Sequence, residues 1–415
     1  MMHVAHGLSP NKTYIDVLKL LKNEGLIVSP RGQETKELQP FIHHIAHADR
    51  RLCSVPGRKA NPFFNMAENM WILDGAGDHE WVCSFNNKLK EYQLDNDQTD
   101  FNAPYGRRIR FYNRHRKGED ISINPYVKVS TNAIATMAQI DQLHHCYLSL
   151  RKDPFSRQAV VSLWNPLFDN FYHETKDRPC NTTIYFKIRD NRLNMTVCNR
   201  SNDIHLGLYG VNFVQFTHIQ EFMAAALGVG LGQYVHISDS LHYYTSSEHT
   251  ENILKSSYEF DVYDFVSTRK LSRSDLSLDD PNLGDYLGIA SQVISESKVF
   301  KSELSMINGE VNPKDFLKIQ FRYAQSEFAR TYFAYLASYD LFKKGFYNQA
   351  LLMLKAVFDF GLQDWAVCGL EFFCRKQNFR QFLETENKLI KDIVGLWFPN
   401  NQRSIDAVTR FCNDH

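Results

Sequence analysis

The chain has 415 residues, 43% of them apolar and 30 of them Phe, which is enough for a sizeable core in one large domain or two to three ordinary ones and excludes a disordered protein. Lys plus Arg equals Asp plus Glu at 47 each, so no overall field points to nucleic acid or an anionic membrane surface. Any basic site has to be local. The eight cysteines, at positions 53, 83, 146, 180, 198, 368, 374 and 412, lack paired zinc-type spacing and read as reduced thiols, with no metal site expected. No run reaches the roughly 18 apolar residues of a membrane helix. Met1 to Lys12 has no apolar signal-like stretch, so a soluble cytoplasmic protein is the expectation.

In chain order, residues 14 to 25 put Ile15, Val17, Leu18, Leu20 and Leu21 on one broad apolar face, a helix with Gly25 as its natural C-cap. Ser29 to Thr35 is polar and turn-rich. Pro62 to Gly75 reads as a buried helix with one charged residue, Glu68, and a lone acid there is costly unless paired or used. Residues 102 to 110 form a loop marked by Pro104 and Gly106, and Ile134 to Arg151 an amphipathic helix that Asp153-Pro154 breaks. Gln158 to Trp164 predicts a strand. Two alternating runs, Thr182 to Ile188 and Leu193 to Cys198, flank a hairpin turn at Arg189-Asp190-Asn191-Arg192 and bring Cys180 and Arg200-Ser201-Asn202-Asp203 to one end of a sheet. Phe213 to Leu227 follows at helical spacing, and Tyr234 to Ser238 begins a further strand. Interleaved elements predict an α+β fold with a mixed sheet for the first 250 or so residues. From about residue 300 the pattern turns helical, with three or four packed helices between Lys314 and Asp392. Gly345 to Leu351 is similar to half of a tetratricopeptide unit, but no second copy follows at a fixed period, so an accessory helical region is expected.

Taken together these segments resemble the thymidylate synthase superfamily, including its phage-type pyrimidine nucleotide hydroxymethylases. The resemblance covers roughly residues 14 to 245 and rests on an order of motifs: Arg31-Gly32, the helix from Glu68 to Trp71, Pro104-Tyr105-Gly106, Asp153 to Arg157, Pro179-Cys180, Arg200 to Asp203, Gly207, Asn212 and His242-Tyr243-Tyr244. It implies a thymidylate-synthase-like catalytic domain over residues 1–298, with mixed sheet and packed helices, and a helical accessory region over 299–415.

The resemblance also implies roles. Cys180 is the nucleophile that adds to pyrimidine C6 and makes C5 an enolate able to attack a one-carbon electrophile. Its thiol needs a lowered pKa, which a cation such as Arg200 favours. Arg31, Arg200 and Ser201 hold the phosphate, with Arg157 supplied by the other subunit of a homodimer, since guanidinium forks suit phosphate. Gln158 stands where synthases often carry a second arginine. Asn212 reads the base edge, and an amide there favours uracil over cytosine. His242 and Tyr244 bind the sugar hydroxyl. Glu68 and Tyr105 organise water and proton transfer at C5, with Asp203 catalytic as well, and Asp203 with Gly207 holds the pterin of the co-substrate 5,10-methylenetetrahydrofolate. As single residues the arginines suit surface salt bridges, His242 and Tyr244 suit strand ends, and Cys180 suits a buried structural thiol.

Two reactions fit these residues. Hydride from the folate gives a methyl group, whereas water gives hydroxymethyl, and exclusion of water favours the first. Phe85 to Tyr92 lacks the tryptophans that shield synthase sites, Asn181 replaces the histidine that commonly follows the nucleophile, and the synthase-like end gives way to the helical region. These departures favour hydroxymethylation of dUMP, with thymidylate synthesis as the alternative. Hydroxymethylation of dCMP or CMP, and a non-catalytic nucleotide-binding protein whose helices bind a partner, are the further readings.

Overall fold

The computed structural model describes residues 2–94, 97–112, 139–170, 177–256, 259–276, 283–306 and 326–414. Its centre is a six-stranded mixed sheet of order β1-β4-β11-β9-β8-β7. Strands β1 (His3–Gly7), β2 (Leu26–Val28), β3 (Thr35–Leu38) and β4 (Phe41–Ile45) come first, and β5 (Gln93–Leu94) pairs with β6 (Asp97–Phe101). Then follow β7 (Val160–Ser162), β8 (Asn181–Arg189), β9 (Arg192–Asn199), β10 (Asn202–Asp203), β11 (Gly230–Ser238) and β12 (Leu241–Tyr244). A second sheet runs β10-β12-β3-β2.

The β8–β9 hairpin closes with Arg189 opposite Arg192, and Asp190 and Asn191 both take positive φ, 50° and 53°. Such a turn twists with the strands it joins, and Asp and Asn tolerate it best after Gly. Ile184, Phe186 and Ile188 face the core as their alternation predicts. Strand β7 is shorter than expected: the N–H groups of Leu163 and Trp164 both turn to the Thr182 carbonyl, which ends the regular ladder.

Helix α1 (Tyr14–Glu24) buries Tyr14, Val17, Leu18 and Leu21, with Ile15 and Leu20 partly covered. Gly25 follows it in an extended conformation, not a left-handed one. Its role is close approach: a Cβ would lie 2.4 Å from the Leu21 carbonyl oxygen and 3.1 Å from Glu37 N of β3. Helix α2 (Pro62–Leu73) starts with Asn61 accepting from Phe64 N–H and Pro62 in the first turn. Residues 105–110, expected as loop, form the short helix α3 (Tyr105–Arg110). Gly106 allows this, because a Cβ there would come within 2.7 Å of the Ile72 carbonyl oxygen on α2. Helix α4 is Gln142–Lys152, later than the expected start, because Asp141 caps it by accepting from His144 N–H; residues 134–138 of that expectation lie outside the described residues.

Helix α5 (Val211–Leu227) is buried on all sides from Phe213 to Ala226, so its polar residues need internal partners. The Thr217 hydroxyl donates to the Phe213 carbonyl, and Gln220 Nε2 to the Leu193 and Gln233 carbonyls. Glu221 accepts from Arg51 at 2.6 Å and from Leu271 N–H at 2.9 Å.

Among the described residues, helix α6 (Leu283–Met306) is followed by α7 (Glu327–Lys343), α8 (Tyr347–Asp359), α9 (Gln363–Cys374), α10 (Gln377–Thr385), α11 (Ile390–Trp397) and α12 (Gln402–Asn413). Four lie within the Lys314–Asp392 stretch, α11 straddles its end and α12 follows it. Phe63 of α2 is one of their contacts with the sheet-bearing part. It stacks on Tyr335 at 4.6 Å, Tyr339 at 5.1 Å and Phe373 at 5.2 Å, and meets Phe372 edge-on at 5.4 Å. One apolar cluster therefore runs from the inner sheet face through α2 and α5 into the C-terminal helices. Among the described residues no helix is long and apolar enough to cross a membrane.

Candidate active site

Cys180 immediately precedes β8, and its carbonyl accepts the Arg200 N–H at 3.0 Å across the hairpin. The phenol oxygen of Tyr105, on α3, accepts from Cys180 N–H at 3.1 Å, Asn181 N–H at 3.3 Å and Asn181 Nδ2 at 2.8 Å. The helix that Gly106 lets approach α2 thus pins the backbone at the cysteine. The half-buried thiol is pushed up, against the expectation of a lowered pKa. Burial is the largest cause and exceeds the pull of Arg200 and Arg31, while Asp177 and Asp203 add to the rise.

Arg200 Nε donates to the Pro179 carbonyl at 2.9 Å, and its guanidinium sits over the Trp164 ring at 5.6 Å. Arg31 is exposed, with φ 55°, in the turn between β2 and β3, close enough for its charge to act on the Cys180 thiol. Ser201 is half-buried between Arg200 and β10. Arg157 lies exposed on the loop before β7, and no interaction of it with this group is present among the described residues.

Parallel pairing of β10 with β12 sets Asp203 opposite His242, and His242 packs edge-on against the Tyr244 ring at 5.5 Å. Asp203 Oδ1 accepts from His205 N–H at 2.8 Å and Leu206 N–H at 2.7 Å, which caps the turn carrying Gly207. Its carboxyl is pushed up by burial despite these donors and the neighbouring His242 and Arg58 charges. Gly207 allows a close approach: a Cβ would fall 1.9 Å from Asn202 Oδ1 and 3.8 Å from Asn212 Nδ2, so the Asn202 side chain would have to move. That contact brings Asp203, Gly207 and Asn212 to one place.

Burial pushes the Glu68 carboxyl up to about 8, offset in part by a hydrogen bond from Gln215 of α5. Glu68 Oε2, Gln215 Oε1, Asn181 Oδ1 and Asn202 Oδ1 are buried acceptors with no hydrogen-bond partner among the described residues. A concentration of orphan acceptors suits a site that takes donors from ligand or water.

Residue types and spacing left three of these groups unnoticed. Gln215 follows Asn212 by three positions on one helix face, a signal available once α5 is recognised. Asn202 lies inside the quoted Arg200–Asp203 run. Arg58 is buried, donates to the His205 carbonyl and raises the local positive potential at Asp203; nothing in its sequence neighbourhood marks it.

Residues 12–290 match the family model described as Thymidylate synthase, and the chain belongs to the thymidylate synthase family. It is similar to the "Deoxyuridylate hydroxymethyltransferase" of Bacillus phage SP01, with 40% identity over 257 residues, which is 61% of this chain and 63% of that protein. The "Deoxyuridylate hydroxymethyltransferase" of Pseudomonas phage M6 is 34% identical over 226 residues, 54% of each chain. A "Putative thymidylate synthase" of Methanosarcina acetivorans is 29% identical over 173 residues, 40% of this chain and 67% of that protein. The chain therefore spans between half and two thirds of the length of the two phage relatives.

Proposed function

We propose that this protein is a cytoplasmic, homodimeric one-carbon transferase that hydroxymethylates dUMP at C5, with 5,10-methylenetetrahydrofolate as co-substrate. The observation that carries this reading is the setting of Cys180, a half-buried thiol pinned by Tyr105 and within the fields of Arg200 and Arg31. The printed names of the two phage relatives support the same substrate.

In this reading the nucleotide phosphate takes the place of bulk water around Arg31, Arg200 and Ser201, joined by Arg157 of the second subunit. Asn212 accepts from N3–H of uracil and donates to O4, and His242 and Tyr244 hold the sugar hydroxyl. Cys180 Sγ adds to C6 and the electrons gather on the C4 enolate, so C5 attacks the folate methylene. Glu68 in its carboxylate form then takes the C5 proton and gives it to the folate nitrogen as that bond breaks, with Tyr105 positioned at the same backbone. Asp203 Oδ1 is committed to two backbone N–H groups, which leaves Oδ2 for an N–H of the pterin beside Gly207. After the folate leaves, water completes the hydroxymethyl group.

Reductive methylation to thymidylate is the second reading. The C-terminal helices favour it, because they cover α2 through Phe63 and so shield one side of the Glu68 helix from solvent. Tritium release from 5-tritiated dUMP, with and without methylenetetrahydrofolate, followed by the product mass, separates the two. Absence of release from both dUMP and dCMP removes both enzymatic readings. A monomer in sedimentation at micromolar concentration removes the role of Arg157 across an interface.

A further inference from the structure

We infer that Gln215 and Glu68 together hold the water that attacks the exocyclic methylene, which makes Gln215 a determinant of hydroxymethyl over methyl product. This rests on the hydroxymethylase reading. Gln215 is 2% exposed and donates its amide to the Glu68 carboxyl. The second oxygens of the pair, Gln215 Oε1 and Glu68 Oε2, are both buried and have no partner among the described residues. They belong to two neighbouring side chains that act on each other, and in this inference one water bridges them.

Two buried acceptors without a donor are expensive to keep. An apolar side chain at 215 avoids one such cost, and a bound water satisfies both oxygens at once. Water that donates both hydrogens to these acceptors turns its lone pairs away from them, which orients it as a nucleophile. The pair also lies beside the reacting centre. Gln215 is one turn beyond Asn212, and its neighbour Phe216 packs on the Tyr105 ring at 5.7 Å, whose hydroxyl takes the Cys180 N–H.

The step balances without further reagents. The water oxygen bonds to the methylene carbon on C5, and its proton passes to the Glu68 carboxylate, which has by then given the C5 proton to the nitrogen of the departing folate. The methylene π electrons move through C5 to the C4 enolate oxygen. Collapse of the enolate re-forms C5=C6 and expels the Cys180 thiolate. Gln215 exchanges no proton; it fixes the direction of the lone pair.

The test is Gln215→Met, which keeps an unbranched chain and removes the acceptor. Wild type and variant are given 5-tritiated dUMP and methylenetetrahydrofolate, and tritium release and hydroxymethyl product are measured in the same samples, with a small thiol present to capture any unhydrated methylene. The expected result, at whatever rate tritium is released, is hydroxymethyl product per tritium released down about tenfold or more, and a thioether or methyl product in its place. An unchanged ratio overturns the role of Gln215. Wild type that releases tritium but makes no hydroxymethyl product overturns the hydroxymethylase reading, and the inference with it. If Gln215→Met does not fold, Gln215→Asn draws the amide back by one methylene, and the same ratio decides: a fall supports the role, no change removes it.

Discussion

Glu68 carries a proton at neutral pH in the folded chain, because burial outweighs the one amide that Gln215 offers it. Its pKa of about 8 lies above the unfolded value of 4.5, so the native state binds more protons than the unfolded one between these limits. The contribution of Glu68 to stability is thus least unfavourable below pH 4.5 and becomes progressively more unfavourable as pH rises to about 8. Glu68→Gln is expected to melt later than wild type at pH 9 and at about the same temperature at pH 4. Tritium release should rise through about pH 8 in wild type as the carboxylate forms, and the variant should show no such rise. Cys180→Ala is expected to abolish turnover and leave dUMP affinity, read by calorimetry, largely intact; turnover by that variant removes the covalent mechanism. Asn212→Asp is expected to shift binding from dUMP toward dCMP, and unchanged selectivity would mean that residue 212 does not read the base.

Helices α2, α3 and α5 act on the site as a set. Gly106 lets α3 lie against Ile72 of α2, and the same helix presents Tyr105 to Cys180 and Asn181. Gly106→Ala forces the two backbones apart. It should destabilise by about 1–3 kcal/mol, as expected for an overpacked contact, and should lower turnover more than dUMP affinity, measured by denaturant melts and steady-state kinetics. Helix α5 depends on Arg51 to neutralise Glu221, both fully buried. Arg51→Ala leaves that buried carboxylate with the Leu271 N–H but without its counter-charge and is expected to cost about 3–5 kcal/mol. How much of these elements was legible in the chain varied with their burial. The hairpin and α1 follow from alternation and helical spacing. Helix α3 did not, because Pro104 and Gly106 look like loop punctuation until the close approach to Ile72 is known.

Across the whole molecule, the C-terminal helices share the core of the sheet-bearing part rather than hang from it. Phe63 alone stacks on three aromatic rings of α7 and α9. Phe63→Ala is expected to lower stability by about 3–5 kcal/mol, and in a single transition, since the cluster is continuous; two separated transitions in calorimetry would show that the parts unfold independently. Composition and spacing by themselves determined the α+β class and the helical C-terminal region, because periodicity is a local property, while the roles of the polar residues around Cys180 are what the family resemblance implies. Only the tertiary structure decided that Gln215 meets Glu68, that Arg58 reaches the Asp203 turn and that burial pushes the Cys180 thiol up. Those depend on which surfaces are hidden and which partners are left unpaired, and both are set by contacts between segments far apart in the chain.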